Sequence, residues 1–405
     1  MSLPSRSSKS GPANSPLPEW QVPLCAPHFD EAEIAEAAAV LRSGWWTYGP
    51  TAQRLEAEFA EFAGVGHAIA VSSGTAALHL AFAALGLQSG DEVLTPSLTF
   101  VAASNCILHA GGVPHFVDVA SPDEPLVTCE TLARAITPRT RGICVAHYAG
   151  FPCDMDSILK LARSSGLWLV EDAAHAPGAG RNGTRCGAWG DAGCFSFFGN
   201  KNLTCGEGGM ITTSNDELAR KIRTLRSHGM SSLTWDRHLG HQSAYDVTEA
   251  GFNYRMDDLR ASVLRVQLRG LAEANRQREI RTRWYRELLG DDPRWTIPFR
   301  DHAGQSAHHL FPIVLAETLP REPIMAELKA HGIQSSIHYP PVHAFSYYRR
   351  LSLPAADLPV TEAFGRRTLT LPLYPDMTRA QVEWVCDSLR AASRSRPPAG
   401  TFNAS

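Results

Sequence analysis

Lysine is scarce in this chain: five among 405 residues, at positions 9, 160, 201, 221 and 329. The nine cysteines form no CxxC pair and keep no short regular spacing. That excludes a zinc ribbon or a disulfide framework and favours free thiols in a reducing compartment. Positive charge is not in excess, and a formal net charge of −3 leaves no basic patch for binding nucleic acid. No run approaches eighteen apolar residues, so no membrane-spanning helix is expected, and residues 1–18 lack the apolar core of a secretory signal. Nor is a metal expected: two prolines between His338 and His343 forbid the helical i, i+4 face of a zinc site, and no third ligand cluster accompanies them. What remains is a soluble cytoplasmic protein, 44% apolar and 20% charged, long enough for one large α/β domain plus a smaller one.

Residues 1–20 and 393–405 are rich in Ser, Pro and Gly and read as disordered tails. Apolar residues at helical spacing predict helices over 30–43 and 51–63, with the aromatic loop Trp45-Trp46-Thr47-Tyr48 between them. Short β-branched runs then alternate with helical ones. Strands are expected over 67–71, 91–95, 113–117, 142–146, 167–170 and 207–213, and helices over 76–85, 101–110, 131–135 and 216–226. This alternation predicts a mostly parallel sheet flanked by helices, with ligands at the carboxyl ends of its strands. A polar, irregular stretch over 228–247 and a long amphipathic helix over 259–287 follow, then short strands and single helices from about 294. The expected partition is a large α/β domain over 21–258, then an interdomain helix with a small α+β domain over 259–392.

Four features carry chemistry. Lys201 follows the aromatics Phe195, Phe197 and Phe198 and precedes a glycine cluster, with no carboxylate before Glu207. Burying an ammonium is costly and lowers its pKa, which turns the amine into a nucleophile; the alternative is a lysine snorkelling at a strand end. Asp172, with Glu171 before it and His175 after, stands at the end of an apolar strand, where it serves either a site or a helix cap. Ser72-Ser73-Gly74-Thr75 lies between a strand and a helix, placed to present free N–H groups to an anion or simply to cap the helix. Phe100 sits at a strand mouth, where it can cover a flat ring. A literal G-x-G-x-x-G over 178–183 neither directly follows a strand nor opens a helix, so it is read as chance. Together, a dehydrated lysine, an aspartate at a strand end and a phosphate-type turn fit pyridoxal 5′-phosphate (PLP), whose ring needs both a Schiff-base amine and an acidic partner.

The same segments resemble the DegT–DnrJ–StrS group of PLP-dependent aminotransferases, over about residues 45–389. The resemblance rests on Ser72-Ser-Gly-Thr-Ala-Ala-Leu78, Pro96-Ser-Leu-Thr-Phe100, Glu171-Asp-Ala-Ala-His175, Lys201-Asn-Leu-Thr-Cys-Gly-Glu-Gly-Gly209, Gly251-Phe-Asn-Tyr-Arg-Met256 and His338-Tyr-Pro-Pro-Val-His343. It implies a fold-type I transferase in which Lys201 forms the Schiff base and shuttles the proton, Asp172 holds the ring nitrogen and His175 lies near the ring's phenolic oxygen. Gly74, Thr75 and Ser196 are implied to hold the phosphate and Phe100 to stack on the ring. Asn253 is implied to reach the cofactor of a neighbouring subunit, hence a homodimer with composite sites. His228, Arg255, Tyr339 and His343 match regions near the sugar or its nucleotide. The implied reaction moves an amino group from glutamate or glutamine to a keto sugar, nucleotide-linked in most of the group. The segment Phe197-Phe-Gly-Asn-Lys201 departs from the commoner Phe-His-Pro-x-Lys. Two other readings are a non-catalytic PLP-binding sugar sensor and a nicotinamide oxidoreductase built on the glycine match.

Overall fold

A computed structural model describes residues 20–27, 29–231 and 245–394. The tails expected up to 19 and from 395, and the 232–244 part of the polar stretch, lie outside them. The first half reads α1 (Glu31–Ser43), α2 (Pro50–Ala63), β1 (His67–Val71), α3 (Gly74–Ala84), β2 (Glu92–Pro96), α4 (Ala102–His109), β3 (Val113–Val117), α5 (Cys129–Ala135) and β4 (Thr140–Ala146). Next come α6 (Met155–Ser164), β5 (Trp168–Asp172), the short β6 (Gly180–Arg181) and β7 (Thr184–Arg185), β8 (Ala192–Ser196), β9 (Gly209–Thr213) and α7 (Asp216–Arg226). A 32-residue helix α8 (Asp258–Leu289) leads to β10 (Trp295–Thr296), β11 (Phe311–Leu315), α9 (Arg321–Ala330), α10 (Pro359–Arg367), β12 (Thr368–Leu371) and α11 (Arg379–Ala392). Among the described residues no helix is long and apolar enough to cross a membrane.

Seven strands form the main sheet in the order β1-β9-β8-β5-β4-β2-β3, parallel from β8 through β3, with β9 antiparallel to both its neighbours. Strand order reverses at β2, where β3 lies on one side and β4 on the other, the kind of place where α/β sheets open a crevice. A smaller antiparallel sheet, β10-β11-β12, packs with α9, α11 and the last turns of α8 around Ile313, Leu369, Tyr285, Leu289, Val385 and Leu389. Val22 joins that second core, with its N–H bonded to Gly332 O at 3.1 Å.

Local chemistry explains the less expected elements. Strand β8 is hidden in the sequence because Gly193 interrupts its apolar run; a Cβ there would collide with Gly187 and sit 2.5 Å from Thr212 Oγ1. The G-x-G-x-x-G stretch is a β-hairpin. Asn182 and Gly183 both have positive φ (50° and 80°), the signature of a type I′ turn, and Gly180 pairs with Arg185. Helix α2 begins at Gly49, which has no side chain to cap it. The carboxylate of Asp258, the first residue of α8, accepts instead from the N–H groups of Gly49, Thr51 and Ala52 at 2.9–3.0 Å.

A buried ion pair joins α2 to α7 beneath β1. Arg226, fully buried, donates to Glu56 Oε1 at 2.6 Å and to Ala70 O at 2.8 Å, and its guanidinium lies 4.4 Å from the centre of the Tyr48 ring. Glu56 also accepts from Ala70 N–H and from the Tyr48 hydroxyl, each at 3.0 Å. Removing one partner of such a pair leaves an unmatched charge in a dry place. Glu56→Gln is therefore expected to cost about 3–5 kcal/mol in urea unfolding. Combining it with Arg226→Met should recover part of that loss, and a double variant no more stable than Glu56→Gln alone would count against the assignment.

Candidate active site

Four parallel strands end in the same crevice. The β4–β5–β8 registers align Ala146, Asp172 and Cys194 in one row, and β2 delivers Thr99 and Phe100 alongside. Lys201 reaches this row from the loop after β8, its N–H closing a turn onto Phe198 O at 2.9 Å. Together they line a cavity of about 360 Å³.

Glu171 and Asp172 are adjacent, yet they serve opposite purposes, because strand alternation sends them to opposite faces of β5. Glu171 accepts from the backbone N–H groups of Gly187, Trp189 and Gly190, each at 2.8 Å, and meets His147 Nε2 at 2.9 Å. It is fully spent on structure. Asp172 has one short-range partner, the Ala174 N–H at 3.1 Å, and otherwise faces the cavity. Burial raises its pKa, against that hydrogen bond and the charge of Lys201. Lys201 is pushed down to about 8 by burial, against the pull of Asp172. His175 is driven well below the usual imidazole range, first by burial and then by Lys201 and His338, so it is neutral at physiological pH. Its Nε2 lies 2.9 Å from the Tyr339 hydroxyl.

Across the cavity is the N-terminus of α3. Ser73 Oγ accepts from Ala76 N–H at 3.0 Å, while the N–H groups of Gly74 and Thr75, the first two helical residues, have no intrahelical acceptor. The loop lies against β8 and β9 because of missing side chains. A Cβ on Gly74 would lie 2.7 Å from Ser196 Cβ, and one on Gly209 would overlap the Ser73 carbonyl. The result is a concave patch of N–H groups and hydroxyls from Thr75 and Ser196, which suits a phosphate dianion. Phe100, 55% exposed, stands at the rim with its ring 6.0 Å from that of Tyr339.

Of the sequence-predicted residues, Lys201, Asp172, Gly74, Thr75, Phe100, His175, Ser196 and Tyr339 line this one cavity. Asn253, His228, Arg255 and His343 do not. Asn253 and His228 are exposed on one short ladder beside the site, where Asn253 bridges Ser227 and His228 N–H bonds Phe252 O. Arg255 bridges Val71, and one of its terminal nitrogens is buried without a partner. His343 is tied to Ser97, its Nδ1 2.8 Å from Oγ, and to Glu362 at 3.4 Å. Sequence reasoning missed His147 and Tyr148, Asn200 and His338. The first two directly follow β4, so the strand-end rule that found Asp172 applies to them equally.

The depressed lysine gives a measurable titration. In cofactor-free protein, modification of Lys201 by trinitrobenzenesulfonate, followed by peptide mass spectrometry, should rise with pH through a midpoint near 8, because only the neutral amine reacts. Solvated lysines should rise through about 10.4. Asp172→Asn removes the one charge that supports the ammonium, so the midpoint should move further down. A Lys201 midpoint at the solvated value would refute the burial argument.

The family model of DegT/DnrJ/EryC1/StrS aminotransferases matches residues 27–390. DesV of S. venezuelae is 36% identical, with a TM-score of 0.82 over 90% of this chain and 95% of its own. DesI, solved in the presence of its TDP-sugar product, is 32% identical, with a TM-score of 0.83 over 95% of each chain. The PLP form of the sugar aminotransferase Spr1654 from Streptococcus pneumoniae is 27% identical, with a TM-score of 0.85 over 92% of this chain and 98% of its own; its pyridoxamine-phosphate form is similar too. With a cavity that joins a desolvated lysine, a strand-end aspartate and a phosphate-type helix terminus, the chain belongs to the DegT/DnrJ/EryC1/StrS aminotransferase family and is a PLP-dependent transaminase.

Proposed function

We propose that this enzyme transfers an amino group from glutamate or glutamine to a nucleotide-linked keto sugar, in the cytoplasm, as a homodimer with composite sites. The observation that carries the reading is the Lys201 amine, depressed to about 8, in one cavity with Asp172. Gly74, Thr75 and Ser196 are the residues to hold the cofactor phosphate, Asp172 to face its ring nitrogen, His175 to lie near its phenolic oxygen and Phe100 to cover its ring. When bound, PLP supplies an aldehyde for an amine and a ring that takes up the electron pair left by a departing α-proton.

Lys201 has two tasks here. A lysine with a pKa of about 8 has a sizeable neutral fraction at physiological pH, so it can act as nucleophile and, once freed, carry a proton at Nζ away from the donor carbon and later back to the acceptor carbon. Asp172 stabilises positive charge in front of it by electrostatics in a site where water is scarce. Neutral His175, held by Tyr339, offers a hydrogen bond without adding a competing cation.

The sugar reading draws support from the cavity wall, where Tyr148, Phe198 and Tyr339 supply flat faces and Asn200 and His338 polar edges, and from the TDP-sugar product of DesI. Arg255, with an unpartnered nitrogen, is the candidate for the substrate's anionic part, with His228 and His343 as further candidates. Asn253, exposed beside the site, is the candidate to reach a second subunit's cofactor phosphate.

The test is spectroscopic. Protein loaded with PLP should show a visible band that glutamate or glutamine bleaches, and a nucleotide-linked keto sugar should restore it. Borohydride should fix the cofactor to the Lys201 peptide alone. Lys201→Ala should lower turnover by at least about a hundredfold, and Gly74→Ala should weaken cofactor retention. No visible band would sink the mechanism, bleaching by neither donor would sink the donor assignment, and a monomer in mass photometry would sink the composite site.

A further inference from the structure

A second cavity, of about 490 Å³, lies between the end of α2, the β6–β7 hairpin, the middle of α8 and the loop over 299–308. It shares no lining residue with the active-site cavity. Its wall is aromatic: Phe151 and Phe299 stack with ring centres 3.9 Å apart, and His302 and His308 stand edge-on to Phe151 at 5.3 and 5.7 Å. Its charge is lopsided, with four arginines (185, 276, 286 and 300) facing one carboxylate, Glu279.

Following the ion pairs shows which of these charges are free. Arg276 is held by Glu273 at 2.7 Å, Arg300 by Asp291, and Glu279 answers Arg283 at 4.0 Å. Neither Arg185 nor Arg286 forms an ion pair among the described residues, although the charge of Asp301 is near enough to support Arg286. Arg185 lies 4.4 Å from the centre of the Phe62 ring; Arg286 donates to Phe299 O at 2.7 Å, and its Nε is buried without a partner. The His302 side chain, 3% exposed, spends Nδ1 on Glu124 at 2.6 Å and leaves Nε2 unpartnered. His308 leaves Nδ1 unpartnered, and burial together with Arg286, Arg278 and Arg283 pushes it down to about 4. Two guanidinium groups without an ion pair, Arg185 exposed at the rim and Arg286 half-buried, thus give net positive charge to a concave pocket of the size that small molecules occupy.

We propose that this cavity is a second ligand site, for a small molecule bearing a phosphate or diphosphate, with Arg185 and Arg286 binding the anion and the Phe151–Phe299 wall taking the rest. An uncharged ligand would cover both guanidinium groups without answering their charge, and a cation would be repelled. Guanidinium also fits phosphate oxygens by paired donors. The site adjoins the lysine loop through one shared side chain: Asn275 lines the cavity, and its Oδ1 accepts from Asn202, the residue after Lys201, at 2.9 Å.

Calorimetric titration of the PLP-loaded enzyme with pyrophosphate, and separately with thymidine diphosphate, tests this. Arg185→Gln combined with Arg286→Gln should weaken pyrophosphate binding at least tenfold while the visible spectrum stays unchanged. Any pyrophosphate bound in the active site is separated by Arg255→Gln, in whose background the Arg185 and Arg286 substitutions should cause the same loss. If the double variant fails to fold, Arg185→Gln alone should still weaken binding several-fold. Thymidine diphosphate that loses affinity in the same variants marks a nucleotide as the ligand. Loss for pyrophosphate only marks the free inorganic anion. No pyrophosphate binding up to millimolar concentration, or binding indifferent to both arginines, overturns the proposal.

Discussion

The constraint on which the rest of the molecule turns is the desolvation of one ammonium group opposite one carboxylate. Lys201 loses most of its water, and Asp172 is the charge that supports it. Asp172 is itself buried, and the ground behind it is soft and apolar: Cys194 is its register partner on β8, and Cys144 and Cys106 are near enough to feel its charge. Thiols of that kind neither hydrogen-bond strongly to the carboxylate nor neutralise it. Burial therefore raises the pKa of Asp172 while the same burial lowers that of Lys201, so the two groups approach each other in proton affinity. A lysine brought to about 8 holds and releases a proton near neutral pH, which an amine-transfer reaction requires.

Keeping such a pair in place demands that everything next to it be satisfied. Glu171 answers this demand one residue away: three backbone N–H groups and His147 absorb its charge, and His147 accepts from Cys153 N–H at 3.1 Å on its other nitrogen. The loop from Gly187 to Gly190 is thus pinned to β5, and Thr212 fixes it from β9 through a 2.6 Å bond to Gly187 O. Glycine does similar work on the phosphate side. Gly74 and Gly209 are not there for turns; their missing side chains let α3, β8 and β9 approach closely enough to form the anion cradle.

Much of this was legible in the sequence, and the reasons differ by element. Strand–helix alternation revealed the main sheet because each strand from β1 to β5 is a short apolar run bounded by polar or small residues. Asp172 and Lys201 stood out because their neighbours are wrong for solvated charges. Strand β8 was not legible, since its glycine is demanded by a contact with Gly187 and Thr212, distant in sequence or across a turn. The glycine-rich 178–183 stretch was kept apart from dinucleotide binding, and its hairpin turn is made by Asn182 with only the last glycine of the motif, Gly183. Tyr148 and His338 were given no role in the site for a further reason: they meet across 190 residues, the Tyr148 hydroxyl bonding His338 O at 2.5 Å, and no local pattern encodes that.

Helix α8 ties these parts into one mechanical unit. Its first residue caps α2, its middle carries Asn275, and its last turns lie in the second core. Asn275 accepts from Asn202 and donates to Pro177 O at 2.9 Å, so one side chain joins the lysine loop to the segment just after His175. Asn202 in turn faces His309 Nδ1 at 2.9 Å with its carbonyl oxygen and donates to Ala307 O at 2.6 Å. Because that carbonyl can only accept, His309 carries its proton on Nδ1. The ring of His309 lies 4.4 Å from that of His175, and both are held neutral by burial. A lysine loop secured this way cannot swing toward solvent without breaking a chain of buried hydrogen bonds, and a buried unsatisfied amide costs about 1–3 kcal/mol. The long helix is thus part of what keeps the amine dehydrated, and its reach into the second core makes the position of Lys201 depend on both halves of the fold.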